Sequence, residues 1–378
     1  MEVAASIDEL LALKPDYDRL HSLSGNTLPF ALHEWHVAWC SHFLELGKHI
    51  RSQPMIHIVR NSERACVAIV PLILTRRAVG PVKLCSLDML GADPSITEIR
   101  ASLMDPVYET RAAWLVQRQL ADSRSIDWIS WGMISDAFAA VLAGGAPLKY
   151  QPPLLDYVLD LAPTWELMQA NLKRNIRESI RHGYNSLKRE NLGFEFRIAQ
   201  SPGEVADALE LFFTLHTLRA NLRGAVAHPD HFAGDRARRF LRDVCGRLAN
   251  RGMVRVFQLA IRGEVVATRI GFLVGNSLYL YYSGFDPRFA SYGVMTTTVV
   301  ETIKYAIAQR IAAINLSPGN DVSKTRWGPR EISLVQAIQV NPSLRSRLAW
   351  AGYQRAKAAA PLPGWIGRVS RLGVRDWS

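Results

Sequence analysis

The part of the chain that most constrains its fold is residues 253–310. Three runs rich in β-branched and aromatic residues, MVRVFQLAI, VVATRIGFLV and SLYLYYSGF, are separated by Arg262-Gly263 and Gly275-Asn276. Short turns containing Gly and Asn join antiparallel neighbours into hairpins, so the spacing predicts a three-stranded antiparallel meander. The third strand breaks at Asp286-Pro287, and a helical pattern opens at Tyr292-Gly293 and runs to about 309. Its first turn offers Ser, Tyr and Gly but no carboxylate. A helix start presents backbone N–H groups with no intrahelical acceptor, and a glycine lets another atom come close, so this turn is receptive to an anion; the alternative is an ordinary strand-to-helix connection. IAAINLS then reads as a short apolar strand and 332–340 as a last strand pair. Meander, helix and returning strand make a mixed α+β unit closed by a crossover.

The first half reads in a similar order. Residues 33–46 show helical apolar spacing, PMIHIVRNSERACVAIVPLILTRR gives two strands joined at Asn61-Ser62, and VKLCSLDML gives a third. Residues 108–121 read as a helix, with DWISWG and LLDYVLDL as further strands. Ala162-Pro163-Thr164 punctuates the chain, with Thr164 as the cap of a following helix. The expected organisation is therefore an N-terminal domain over 1–162, a C-terminal domain over 163–340 with helices at 165–190 and 204–222, and a basic tail over 341–378.

Bulk chemistry excludes several classes. With 378 residues, 48% of them hydrophobic, the chain can bury two sizeable cores. No run approaches the length of a membrane span, and the opening MEVAASIDELLALKPDYDRL mixes acids with apolar residues instead of showing a basic-then-apolar signal, so a cytoplasmic location is expected. Cys40, Cys66, Cys85 and Cys245 form no CxxC pair, so neither a zinc site nor a disulfide framework is indicated, and no metal is expected. Net charge is +11, which favours partners bearing phosphates or anionic headgroups. The excess concentrates in two segments. NLKRNIRESIRHGYNSLKR (171–189) sets Lys173, Arg174, Arg177, Arg181 and Lys188 mostly against Glu178, and the tail intersperses Trp350, Trp365 and Trp377 among arginines. No RNA-binding motif is present and DNA is not an expected partner.

The strand order, with an anion-receptive turn between the meander's last strand and the next helix, resembles the GNAT acyltransferase fold. More of the chain, about 33–328, is similar to the CelD/BcsL-like acetyltransferases associated with cellulose biosynthesis, relatives of the Fem-type aminoacyltransferases. The residues that carry this are Trp35 and Trp39, AIVPLILTRR, NIRESIRHGYNSL, LFFTLHTLR, VVATRIGF, YYSGFDPRFASYGVM and NLSPGNDVSKTRWG. The resemblance implies two tandem GNAT-like domains, each a mixed, mostly antiparallel sheet flanked by helices. The pyrophosphate motif departs from the usual Gln/Arg-x-x-Gly-x-Gly/Ala, since Arg288 and Gly293 are present at a different spacing. In such relatives the last segment reads Asp-Phe-x-x-Gly-x-Glu-x-Tyr-Lys; here Asn315 replaces the Asp, Asp321 the Glu and Ser323 the Tyr, while Gly319 and Lys324 remain.

By that resemblance, acyl-CoA, acetyl-CoA or longer, is the co-substrate. Tyr282, Ser283 and Gly284 would contact its arm, and Arg288, Ser291, Tyr292, Gly293, Val294 and Met295 its pyrophosphate. His216 is the first candidate base, because its pKa lies near neutrality, although a histidine on an amphipathic helix more often has a structural role. Asp321 and Lys324 are candidates for organising the acceptor, with Arg219 and Asn320 as substrate contacts. Asp286 is a further candidate carboxylate, which at Asp-Pro serves more often as a turn former. The expected activity is transfer of an acyl group from the thioester to an amine, or a hydroxyl, of a small molecule or sugar. Two alternatives stay open: an aminoacyl-tRNA-dependent Fem-type transferase, which the basic helix favours, and a non-catalytic partner of a polysaccharide synthase held to a membrane surface by the basic tail.

Overall fold

The computed structural model describes residues 1–79, 82–92, 96–121, 123, 125–134, 136–144, 147–222, 228–319 and 321–358. Asn320, Trp365 and Trp377 lie outside the described residues. The chain divides into two compact units, one formed by residues 1–26, 30–154 and the described chain from Leu334, the other by Thr27–Pro29 and Leu155–Ser333.

The first unit runs through β1 (Glu2–Ala4), α1 (Ile7–Ala12), α2 (Lys14–Ser24), α3 (His33–Phe43), β2 (Ile50–Arg60), β3 (Cys66–Val79), β4 (Val82–Met89), β5 (Leu103–Met104), α4 (Glu109–Ala121), β6 (Trp128–Ile134), α5 (Asp136–Ala143) and β7 (Leu148–Tyr150). β1 to β4 pair antiparallel in chain order, and β6 lies parallel to β4. Its core packs Leu72, Leu87, Trp131 and Phe138 with the inner face of α4. The four cysteines are free thiols, and among the described residues no helix is long and apolar enough to cross a membrane.

The second unit runs through β8 (Leu154–Asp160), α6 (Trp165–Asn171), α7 (Arg174–Arg189), β9 (Phe194–Ala199), α8 (Pro202–Ala220), α9 (Asp235–Ala249), β10 (Val254–Ile261), β11 (Glu264–Val274), β12 (Ser277–Phe285), α10 (Val294–Ala308), β13 (Ala313–Asn315) and α11 (Val322–Thr325). Its sheet order is β9-β10-β11-β12-β13-β8; β9 to β12 are antiparallel, β13 is parallel to β12 and antiparallel to β8. The expected mixed α+β fold with a meander and a crossover is therefore present, and β9 extends the meander by a strand not foreseen from the sequence. Both hairpin turns form where expected, with Arg262, Gly263 and Gly275 at positive φ.

Local chemistry accounts for the helix boundaries. Thr164 caps α6 by accepting from the Leu167 N–H, and Ser201 with Glu204 makes a capping box that starts α8 at Pro202. The single helix expected over 165–190 is two helices, because Leu172 turns extended and buries its side chain beside Met168 and Ile176. α7 then sets Ile176, Ile180, Gly183 and Leu187 inward, while Lys173, Arg174, Arg177, Arg181 and Lys188 stay exposed. The periodicity of 165–190 carries both helices, and the extended pair Leu172-Lys173 separates them.

The chain then forms β14 (Arg330–Val340) and α12 (Leu344–Ala358). The strand pair expected at 332–340 is one strand, β14, which pairs with β6 and β7 of the first unit. α12 lays Trp350 and Tyr353 on Trp128, with ring centroids 5.4 Å and 4.8 Å away. This part of the basic tail thus rests on the body of the protein.

One contact fixes the second unit's central layer. A Cβ built on Gly284 of β12 would lie 2.6 Å from the Leu215 carbonyl carbon and 2.9 Å from the His216 Cα, so α8 approaches the strand to within the space only glycine leaves. Gly284→Ala is expected to lift α8 from β12 and cost about 3 kcal/mol, read as a lower Tm in thermal unfolding; an unchanged Tm would show that the contact is not tight.

Candidate functional site

β12 is the backbone of the site. It pairs with β13 only from Ser277 to Tyr279, and from Leu280 onward its described strand partner is β11 alone. Arg269 of β11 faces Ser283 and Gly271 faces Leu280, so Ile270 stands against two residues, Tyr281 and Tyr282. This is a β-bulge, which bends a strand and increases its twist. The strand leaves β13 just before the bulge, so that around Tyr282–Gly284 no described strand other than β11 pairs with it. The first unit has no such feature in its equivalent pair: β4 keeps unbroken register with β3 and bonds β6 at Ser86–Asp88, beside its C-terminal end.

Beyond β12, Pro287–Tyr292 forms a 3₁₀ turn and Gly293, at φ 65°, is the N-cap of α10. No side chain caps this helix and no acid stands in its first turn. The first intrahelical bond runs from the Thr297 N–H to the Gly293 carbonyl, which leaves the Val294, Met295 and Thr296 N–H groups without an intrahelical acceptor. Gly183 of α7 packs beside this end, where a Cβ would sit 3.2 Å from Thr297 Oγ1 and 3.4 Å from the Tyr292 carbonyl. The helix start expected at Tyr292-Gly293 falls one residue later, and the bare N-terminus it implied is present.

The flanking residues expected at a pyrophosphate have other partners. Arg288 donates to Asp286 at 2.6 Å and 2.9 Å and pairs with Glu264 at 3.0 Å. Asp286 is buried, caps the 3₁₀ turn through the Arg288 N–H, and is held below its ordinary pKa first by Arg288. The two make a closed turn. Tyr292 donates its hydroxyl to Glu190, and Ser291 is exposed. Val294 is buried and Met295 half-buried, packed with Leu187 and Leu192.

His216 on α8 is 4% exposed. Since a carbonyl only accepts, the ring's Nδ1 carries the proton and donates to the Ser283 carbonyl at 2.9 Å. Nε2 is buried without a hydrogen bond, 3.8 Å from Asp230 Oδ1, and Phe212, Phe232 and Tyr282 enclose the ring. Burial depresses its pKa. Nε2 is thus enclosed among rings, and the hydrogen bond from Nδ1 holds the bulged strand.

A polar cluster sits where β12 splays. Arg219 donates Nη1 to Ser283 Oγ at 2.7 Å and directs Nη2 to the His228 ring at 3.2 Å. Arg326 donates Nη2 to Thr296 Oγ1 at 2.7 Å, in the first turn of α10. Asp321 caps α11 by accepting from the Ser323 N–H at 2.8 Å and acts electrostatically on Arg219, Arg326 and His228. Burial alone would raise its pKa, but hydrogen bonds from Ser323 and the charge of Lys324 outweigh it, so Asp321 is held ionised. Lys324 bonds the Pro318 carbonyl and secures the turn at Gly319. Among the sequence-selected residues the structure thus gathers Ser283, Gly284, Gly293, Arg219, Asp321 and Lys324 around one region, while Asp286 and Arg288 close a turn beside it.

His228, Arg326, Thr296, Asp230 and Asp156 were not foreseen. Asn315 donates to Asp156 Oδ2 at 2.7 Å, which explains the substitution: an aspartate there would face a buried carboxylate already raised in pKa by burial. A matched pair of this kind leaves no trace in the sequence, its members lying far apart. Separately, Trp165, Arg177, Arg181, Tyr184 and Lys304 line a cavity of about 470 Å³ beside α6, α7 and α10.

Residues 174–325, which hold these features, match the family description "Acetyltransferase (GNAT) domain". Among solved structures the chain is similar to FemX, at 11% identity over 89% of this chain and 98% of that one, with a TM-score of 0.61. It is also similar to L-PGS from Bacillus licheniformis, at 12% identity over 89% and 96% with a TM-score of 0.51, and to a protein of unknown function from Bacteroides thetaiotaomicron, at 12% over 90% and 99% with a TM-score of 0.52. At these identities the likeness is one of fold. No protein of curated function is close enough in sequence to count as a relative.

His216→Leu should leave the Ser283 carbonyl unpaired and cost about 1–3 kcal/mol, with partial recovery in His216→Gln. Because the folded state depresses the ring's pKa, its contribution is complete above the unfolded value of about 6.5 and is lost as pH falls below it. The Tm of wild type should therefore drop more between pH 7.5 and 5 than that of His216→Gln; parallel curves would mean the ring does not titrate in this way.

Proposed function

We propose that the second unit is an acyl-CoA-dependent acyltransferase acting on an amine. The observation that carries this reading is the splayed edge of β12 leading directly into an uncapped helix N-terminus at Gly293. An acyl-CoA would supply an activated acyl group as its thioester. The Val294, Met295 and Thr296 N–H groups are oriented to bind its pyrophosphate, and the edge of β12 around Gly284, which no described strand other than β11 pairs, offers backbone groups to an extended arm and to a carbonyl oxygen. Asp321, held ionised, pairs with the acceptor's ammonium and orients it. Once that group has given a proton to solvent, its nitrogen forms the new C–N bond as the thioester C–S bond breaks. Coenzyme A leaves as the thiolate, which takes up the second proton the nitrogen loses; His216 keeps Ser283 in place; Lys324 keeps the Pro318-Gly319 turn. A CelD/BcsL-like acceptor, a sugar or a related small molecule, is consistent with the motifs that carry that resemblance.

A second reading, transfer from an aminoacyl-tRNA, is favoured by the exposed cationic face of α7, whose arginines suit a phosphate backbone.

Gly293 tests the first reading cleanly. Its φ of 65° is one that Asn and Asp adopt with modest strain, and the nearest atom to a built Cβ is 3.6 Å away. Gly293→Asp should lower acetyl-CoA affinity by about tenfold or more through charge repulsion at the phosphates, whereas Gly293→Asn should retain most of it. Calorimetry with acetyl-CoA, a long-chain acyl-CoA and charged tRNA reads this directly: no CoA binding by folded wild type, with binding of charged tRNA, would favour the second reading.

A further inference from the structure

Two arginines at the splay lack the close carboxylate partners that several other arginines of this chain have. Arg77, on Ser86 Oγ, and Arg255, on Tyr305, lack them as well, but of these four only the pair at the splay sits beside the helix start at Gly293 and the edge of β12. Arg60 has Asp16 and Glu2, Arg242 has Glu210, and Arg288 has Asp286 and Glu264, all at 2.6–3.1 Å. The half-buried Arg219 and Arg326 instead rest on neutral groups: Ser283 Oγ and the His228 ring for one, Thr296 Oγ1 for the other, and Arg326 Nε is buried with no partner. Burial depresses the pKa of both, opposed by a single carboxylate, Asp321. Asp321 also neighbours Lys324. Among the described residues Asp321 is therefore the one carboxylate acting on both half-buried arginines, and removing guanidinium groups from water without a full counter-charge is costly. An arriving anion would relieve that cost, with the planar donors of two arginines suited to a carboxylate or phosphate.

We propose that the acceptor carries both signs of charge, an amine that pairs with Asp321 and, a few ångströms along the same molecule, a carboxylate or phosphate that pairs with Arg219 and Arg326. This rests on the acyl-transfer reading and narrows its acceptor class to amino acids, amino-sugar phosphates and similar acidic amines. Neutral amino sugars leave the arginines uncompensated, and polyamines are repelled by them.

The test uses the full chain and, as the smallest probe, inorganic phosphate titrated calorimetrically into wild type, Arg219→Gln and Arg326→Gln. Saturable binding to wild type already holding CoA, so that the turn at Gly293 is filled, is expected, weakening about tenfold or more in each variant. With acetyl-CoA present, glucosamine 6-phosphate should be acylated in preference to glucosamine, and β-alanine in preference to its amide, and the preference should vanish in both variants. Phosphate binding equal in wild type and variants, or equal use of acidic and neutral members, overturns the proposal; where neither pair is acylated, the phosphate titration alone decides. Failure of wild type to bind acetyl-CoA sinks the donor reading separately.

Discussion

Everything at the candidate site depends on one departure from regular sheet pairing, the separation of β12 from β13 after Tyr279. A fully paired strand would spend both rows of backbone groups on its neighbours. The bulge at Tyr281–Tyr282 turns the strand away, and two supports hold it there: α8 pressed onto Gly284, and the His216 imidazole bonded to the Ser283 carbonyl. A splayed strand without such supports would re-pair, since unpaired backbone groups at an edge attract partners. Rigidity here comes from the packing of α8 and His216 on the strand after it has left β13.

The two units share an order, a meander followed by a strand parallel to its last member, yet only the second places a helix immediately after that member. In the first unit, α4 begins at Glu109, about twenty residues past β4, and carries an acid in its first turn. An acid there repels an anion and completes the helix dipole itself. The same topology thus yields an anion-receptive turn in one unit and a closed connection in the other, which is why the chemistry is assigned to the second.

Electrostatics at the site follows from desolvation more than from the chain's overall positive charge. Most of the surplus cations, such as those of α7, are exposed and act at long range on any anionic partner, weakened by salt. Arg219 and Arg326 are fewer but partly removed from water, so their demand for an anion is local and specific. Net charge alone pointed to phosphates in general; the cluster points to where an acidic group would sit.

Much of this was legible in the sequence, because the signals were local. Gly263 and Gly275 mark hairpins through their freedom at positive φ, Thr164 marks a helix start through a short-range hydrogen bond, and the missing acid before Val294 marks a bare helix end. Other features depend on pairs that meet only after folding. The return of β14 to β6 links residues some two hundred positions apart, the Asn315–Asp156 bond explains a substitution that looked like a loss, and Arg326 reaches Thr296 across thirty residues. The role of His216 belongs with these: its sequence context shows an imidazole on a helix, while its proton position and burial are set by a carbonyl on β12 and by three surrounding rings. Sequence periodicity records which face of an element is apolar, but which polar groups share a desolvated space is decided by tertiary contacts, because burial and partnership are properties of the folded neighbourhood.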